Sequence, residues 1–95
     1  MTPEKKVKNL VVKQLKEIGA YYFFPATGGY GRSGVPDVVG CWNGRFFAIE
    51  CKAGKNTTTA LQEFEIKKIR EVGGVAWVVN EQNIDSVKTA LYSFR

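Results

Sequence analysis

Histidine is absent from this chain of 95 residues, and cysteine occurs only at Cys41 and Cys51. These shortages exclude a disulfide framework and a zinc centre built from the usual Cys and His ligands. Both cysteines are expected to act as small core residues. No apolar run approaches the ~20 residues of a membrane helix. The opening "MTPEKKVKNL" lacks the apolar stretch of a secretion signal. A soluble, intracellular protein is therefore expected, formed as one domain over residues 1–95. Acids are also in the minority: Lys and Arg number 14 against 9 Asp and Glu, for a net charge of +5. A positive field of this kind favours polyanions, nucleic acid among them.

The patterning predicts seven elements. Thr2 as N-cap and Pro3 at the first helical position start a helix. Its apolar positions are Val7, Leu10, Val11, Leu15 and Ile18, and Gly19 ends it. Lys5, Lys6, Lys8, Lys13 and Lys16 fall off that face and are mostly solvated. "AYYFFP" reads as a short strand ended by Pro25. "ATGGYGRSGVP" is too irregular for any element and reads as a mobile loop. No strand-to-helix transition follows its glycines, which excludes a nucleotide-binding P-loop.

"DVVGCW" and "RFFAIECK" are strands joined by Asn43-Gly44, a strong hairpin signal. Thr59 and Gln62 form a capping box for a helix with Leu61, Phe64, Ile69 and Val72 on its apolar face. "VAWVVN" reads as a central strand, and Ile84, Val87 and Leu91 mark a last helix. The expected class is α/β, with helices over a mixed sheet in the order α-β-β-β-α-β-α.

A two-residue turn at Asn43-Gly44 pairs Trp42 with Arg45 and Val39 with Ala48. Carried on, the register sets Asp37 opposite Glu50 with Cβ atoms about 5 Å apart. Lys52 shares their side of the sheet. Facing carboxylates repel, and a cation between them relieves the repulsion. Oxygen donors suit a hard ion such as Mg²⁺ or Mn²⁺. A structural ion pair between Lys52 and Glu50, with Asp37 capping a loop, accounts for the same three residues.

Gly34-x-Pro36-Asp37, followed thirteen positions on by Glu50-x-Lys52 in an αβββαβ order, resembles the PD-(D/E)xK nuclease superfamily. More specifically, it is similar to stand-alone VRR-NUC domains of phage and bacterial type, which are like Holliday junction resolvases. The resemblance runs from Glu4 to the helix that starts near Ala60. Glu4 matches the family's acid on the first helix, and Gln62 matches a glutamine at the start of the helix after the ExK strand. For Gln62 the capping box is a competing role.

What the resemblance implies is a metal-dependent DNA endonuclease. Asp37, Glu50 and the backbone carbonyl of Cys51 would hold Mg²⁺ or Mn²⁺, and Lys52 would stabilise charge. Gln62 and Glu4 would orient water or a second ion. The implied substrate is branched DNA, cut by a homodimer in the cytoplasm of a bacterial or phage-infected cell. The "YYFF" stretch and Trp42 are candidates for the dimer surface, although most aromatics are expected to fill the core. Arg32, Lys55, Lys5 and Lys6 are the expected DNA contacts. The alternatives are a non-cleaving nucleic-acid-binding module and a nuclease for flaps, nicks or linear duplex.

Overall fold

The computed structural model describes residues 1–26 and 31–93. Part of the loop expected to be mobile, at residues 27–30, lies outside the described residues. Helix α1 (Pro3–Glu17) begins as its sequence dictates, with the Lys5 amide donating to the Thr2 hydroxyl at 3.2 Å. Its buried stripe is Val7, Val11 and Leu15. There follow β1 (Tyr21–Phe23), β2 (Val38–Trp42), β3 (Arg45–Cys51), α2 (Ala60–Glu71) and β4 (Val75–Val79). A 3-10 turn at Ile84–Ser86 leads into α3 (Val87–Ser93).

The sheet order is β1-β2-β3-β4, antiparallel except that β4 runs parallel to β3. This is the expected mixed sheet with flanking helices. Asn43 and Gly44 have φ of 53° and 79°, the two positive values that a two-residue hairpin turn of matching twist requires. The hairpin register agrees with the one read from the sequence, from Trp42 opposite Arg45 to Val38 opposite Ile49. Strand β2 begins at Val38, so Asp37 stands on the bend one residue before it.

Side chains of β3 alternate between two cores, as a period of two demands. Phe47, Ile49 and Cys51 meet Val7, Val11 and Leu15 of α1 together with Val87 and Leu91 of α3. On the other face Ala48, Val39 and Ala76 meet Ile66 of α2. Gln14 ties the first layer together, since its Nε2 donates to the Ile84 carbonyl at 2.5 Å and its Oε1 accepts from the Lys88 amide at 3.3 Å.

Four expectations are corrected. The apolar run Val75–Val79 forms an edge strand and not a central one. It is apolar because both of its faces are covered, Val75 and Val79 by one core and Ala76 by the other. In α2, Leu61, Phe64 and Val72 are exposed, whereas Glu65 and Ile66 are buried. The helix is rotated so that Gln62, Ile66 and Ile69 turn inward, set by polar contacts of Gln62 and Glu65 that periodicity does not register. Cys41 is exposed, because α2 covers Val39, Ala48 and Ala76 but leaves the Cys41 end of β2 bare. For the same reason the aromatics do not mostly fill the core: Phe47 is the only fully buried one among the described residues.

Candidate metal and phosphate site

Three chain segments converge at one end of the β2–β3 hairpin. Glu4 comes from the first turn of α1, Asp37 from the bend before β2, and Glu50 from near the end of β3. One carboxylate oxygen from each lies within 4.8 Å of the others. Asp37 is held by the backbone, its Oδ2 accepting the Cys51 amide at 2.9 Å. This bond clamps the bend to β3 and keeps Asp37 in register with Glu50.

Glu50 is 3% exposed, and its Oε2 has two partners. Gln62 Nε2 donates to it at 3.1 Å and Lys52 Nζ lies 3.5 Å away. Burial, and next the charge of Asp37, push the Glu50 carboxyl up to about 7 from its ordinary 4.5, against the opposing pull of Lys52. Three acids so arranged store repulsion that a cation would remove. The donors are all oxygens, which fits a hard dication such as Mg²⁺ or Mn²⁺.

Gln62 belongs to the helix cap and at the same time touches the acid cluster. Its Oε1 accepts the Thr59 amide at 2.9 Å while its Nε2 reaches Glu50, so the two ends of one amide join the helix cap to the acid cluster. Gly34 completes this packing. Its φ is +82°, and a Cβ built on it would lie 2.6 Å from the backbone C and O of Leu61. Only a bare backbone brings the Pro36-Asp37 bend this close to the start of α2.

Cys51 faces away from Glu50 and is fully buried in the α1 core. Burial first, then Asp37 and Glu50, push its thiol up to about 12, so it stays protonated and carries no thiolate chemistry.

Two clefts flank Glu4. One, of about 620 Å³, is lined by Ala53, Gly54, Lys55, Asn56 and Glu81 on its far side. Glu81 shapes it by accepting the Gly54 amide at 3.0 and 3.2 Å. The other, of about 540 Å³, is lined by Lys5, Lys8, Asn9 and Phe24, with Asp37 and Cys51 at the acid end. Lys55 and Lys5 thus sit on either side of the acids. Lys6 is exposed and lines neither cleft. Arg32 lies elsewhere, its Nη2 3.1 Å from the buried Glu65 of α2.

Sequence reasoning does not single out Glu65 or Glu81, and it names Phe24 only within the "YYFF" stretch, as a candidate for the dimer surface. Glu65 had a signal, standing three residues after Gln62 on the inward side of α2; Glu81 and Phe24 act through contacts distant in the chain.

A mixed four-stranded sheet with flanking helices, carrying facing acids at its β2–β3 hairpin, has the restriction-endonuclease-like fold. The chain belongs to the archaeal Holliday junction resolvase (Hjc) family, which it matches over residues 5–88. Glu4 lies one residue before that match. Among solved structures it resembles a VRR_NUC domain at 19% identity, over 100% of both chains, with a TM-score of 0.77. A second VRR_NUC domain protein aligns at 18% identity over 99% of this chain and 88% of the other, with a TM-score of 0.68. The Hjc Holliday junction resolvase of Archaeoglobus fulgidus aligns at 21% identity over 80% of this chain and 66% of the other, with a TM-score of 0.60. At these identities the likeness is one of fold. No curated protein matches the sequence. No helix among the described residues is long and apolar enough to cross a membrane.

Proposed function

We propose that the chain is a divalent-metal-dependent endodeoxyribonuclease that cuts branched DNA, four-way junctions above all, as a homodimer in a bacterial or phage-infected cell. The observation that carries this reading is the convergence of Glu4, Asp37 and Glu50 within 4.8 Å, with Lys52 beside them. A pure binding module has no use for three acids where phosphate must approach.

Asp37, Glu50 and the Cys51 carbonyl would hold Mg²⁺ or Mn²⁺. When bound, such an ion supplies Lewis-acid polarisation of the scissile phosphate and a lowered pKa for a coordinated water. The protein's own groups do the rest. Gln62 and Lys52 both hold Glu50 Oε2, which fixes the rotation of that carboxylate. The ammonium of Lys52 stabilises negative charge developing on the phosphate oxygens. Glu4, at the meeting of the two clefts, orients the attacking water. Lys5 and Lys55 neutralise flanking phosphates on either side.

The homodimer is supported by the bare half of the sheet. Tyr21, Phe23, Phe46 and Phe64 are 69%, 48%, 45% and 64% exposed, on or beside the face that α2 leaves uncovered. At roughly 200 Å² per ring these four expose on the order of 450 Å² of side chain. Leu61 and Val72 extend the surface toward the ~800 Å² per partner of a standard interface. A two-fold dimer presents two sites to a two-fold substrate.

The test incubates the protein with a labelled four-way junction, a flap, a nicked duplex and a linear duplex, with and without Mg²⁺ or Mn²⁺, beside Asp37→Asn. Metal-dependent cutting of the junction, lost in the folded variant, is the expected result. Binding with no metal-dependent cutting of any substrate would mark a non-cleaving module.

A further inference from the structure

Lys8 has no part in the acid cluster, yet it lines the same cleft as Asp37. It stands four residues after Glu4 on α1, so the two side chains share one helix face a single turn apart. Its Nζ lies 4.3 Å from the centre of the Phe24 ring, over the ring face. Lys8 is half-buried, unlike the exposed Lys5 and Lys6 beside it. Phe24 is itself braced by Tyr22, with ring centres 6.0 Å apart. A lysine that is only solvated has no need of an aromatic rest. Holding the ammonium over a ring face restricts its motion at little desolvation cost, and leaves its donors able to meet an anion.

We propose that Lys8, positioned by Phe24, is a preformed clamp for the phosphate next to the scissile one. The inference rests on the nuclease reading of the acid cluster and adds a ligand subsite to it. A strand whose scissile phosphate lies at Glu4, Asp37 and Glu50 must continue into one of the two flanking clefts. One turn of α1 is comparable to the step between neighbouring phosphates, so a strand entering the Phe24 cleft brings its next phosphate to Lys8. The clamp also answers an electrostatic difficulty, since three acids repel the backbone and a cation one turn away offsets this.

The experiment measures binding of a four-way junction in Ca²⁺ buffer, after the cleavage position has been mapped. Each phosphate flanking the scissile one is replaced singly by an uncharged methylphosphonate. For the wild-type protein one such replacement should weaken binding about tenfold, the scale of a single charged hydrogen bond. Lys8→Gln should lose about tenfold on the all-phosphate junction, lose nothing more at that one position, and lower the salt slope of log K by about 0.9. Phe24→Leu should give a partial version of the same position-specific loss, and Phe24→Trp, which keeps a ring face, should restore it. Thermal melts establish that each variant is folded. If the variants bind the junction like the wild type, or lose affinity equally at every phosphate, the clamp is overturned and the nuclease reading stands. If the wild-type protein binds no junction, the reading beneath it fails instead.

Discussion

Replacing Glu50 with glutamine should make the metal-free protein more stable, and only at neutral and alkaline pH. In the folded chain burial and Asp37 hold the Glu50 carboxyl at about 7, against an ordinary 4.5. A raised acid favours the protonated form, so folding takes up a proton between these two values. Stability is therefore fully present below about pH 4.5, declines as pH rises, and has lost its whole share once pH passes about 7. At 1.36 kcal/mol per unit, the gap amounts to about 3 kcal/mol. The opposing pull of the Lys52 ammonium is already contained in it. The amide introduced by Glu50→Gln imitates the protonated acid at every pH and can still accept from Gln62. The variant and the wild type should have parallel stabilities in acid and diverge by about 3 kcal/mol near pH 8, about 15 °C in Tm for a domain of this size. Denaturant and thermal unfolding in EDTA, followed by circular dichroism across that range, measure the difference. Mn²⁺ should reverse the order near pH 8 by stabilising the wild type, about 4.1 kcal/mol at a thousandfold excess over Kd, and the variant little. Curves that stay parallel from acid to alkali, or equal stabilisation of both proteins by Mn²⁺, would refute the account of a charged, repelling cluster.

Three further outcomes are expected. Gly34→Ala should destabilise by about 2–4 kcal/mol, through its positive φ and its clash with the Leu61 backbone, and should slow cutting beyond the loss of folded protein; an active variant with unchanged Tm contradicts the close packing described. Cys51→Ala should keep metal-dependent cutting with a stability loss of about 1–2 kcal/mol, because the buried thiol stays protonated; loss of cutting in a well-folded variant would assign the sulfur a role. Phe64→Lys should weaken the dimer at least thirtyfold, since a buried aromatic anchor is worth about 2 kcal/mol or more; light scattering that shows the wild-type mass unchanged in the variant would move the interface elsewhere.

Much of the architecture was legible because its signals are local. The Asn43-Gly44 turn tolerates few registers, so counting outward from it sets Val38 opposite Ile49 and carries Asp37 toward Glu50. Thr2 and Thr59 announced two helix starts through groups that must find partners within three residues. The facing of Asp37 and Glu50 follows from the same turn, whereas Glu4 joins them in the sequence only through the resemblance to the nuclease family. The differences share a cause: the composition of Val75–Val79 suggests a central strand, but composition reports cover on two faces and not strand neighbours on two edges. Spacing alone points Leu61, Phe64 and Val72 to the core, while the rotation of α2 goes with Gln62 reaching Glu50 and Arg32 reaching Glu65.

The sequence by itself determined the element order and the hairpin register, since each depends on residues a few positions apart. The tertiary structure alone decided three things. Glu50 became buried with a raised pKa, one glutamine came to join a helix cap to the acid centre, and Lys8 came to rest on Phe24. Each needs groups from separate elements to meet, and for Glu50 the solvent exclusion that raises its pKa is a property of the assembled layers that no stretch of chain carries alone.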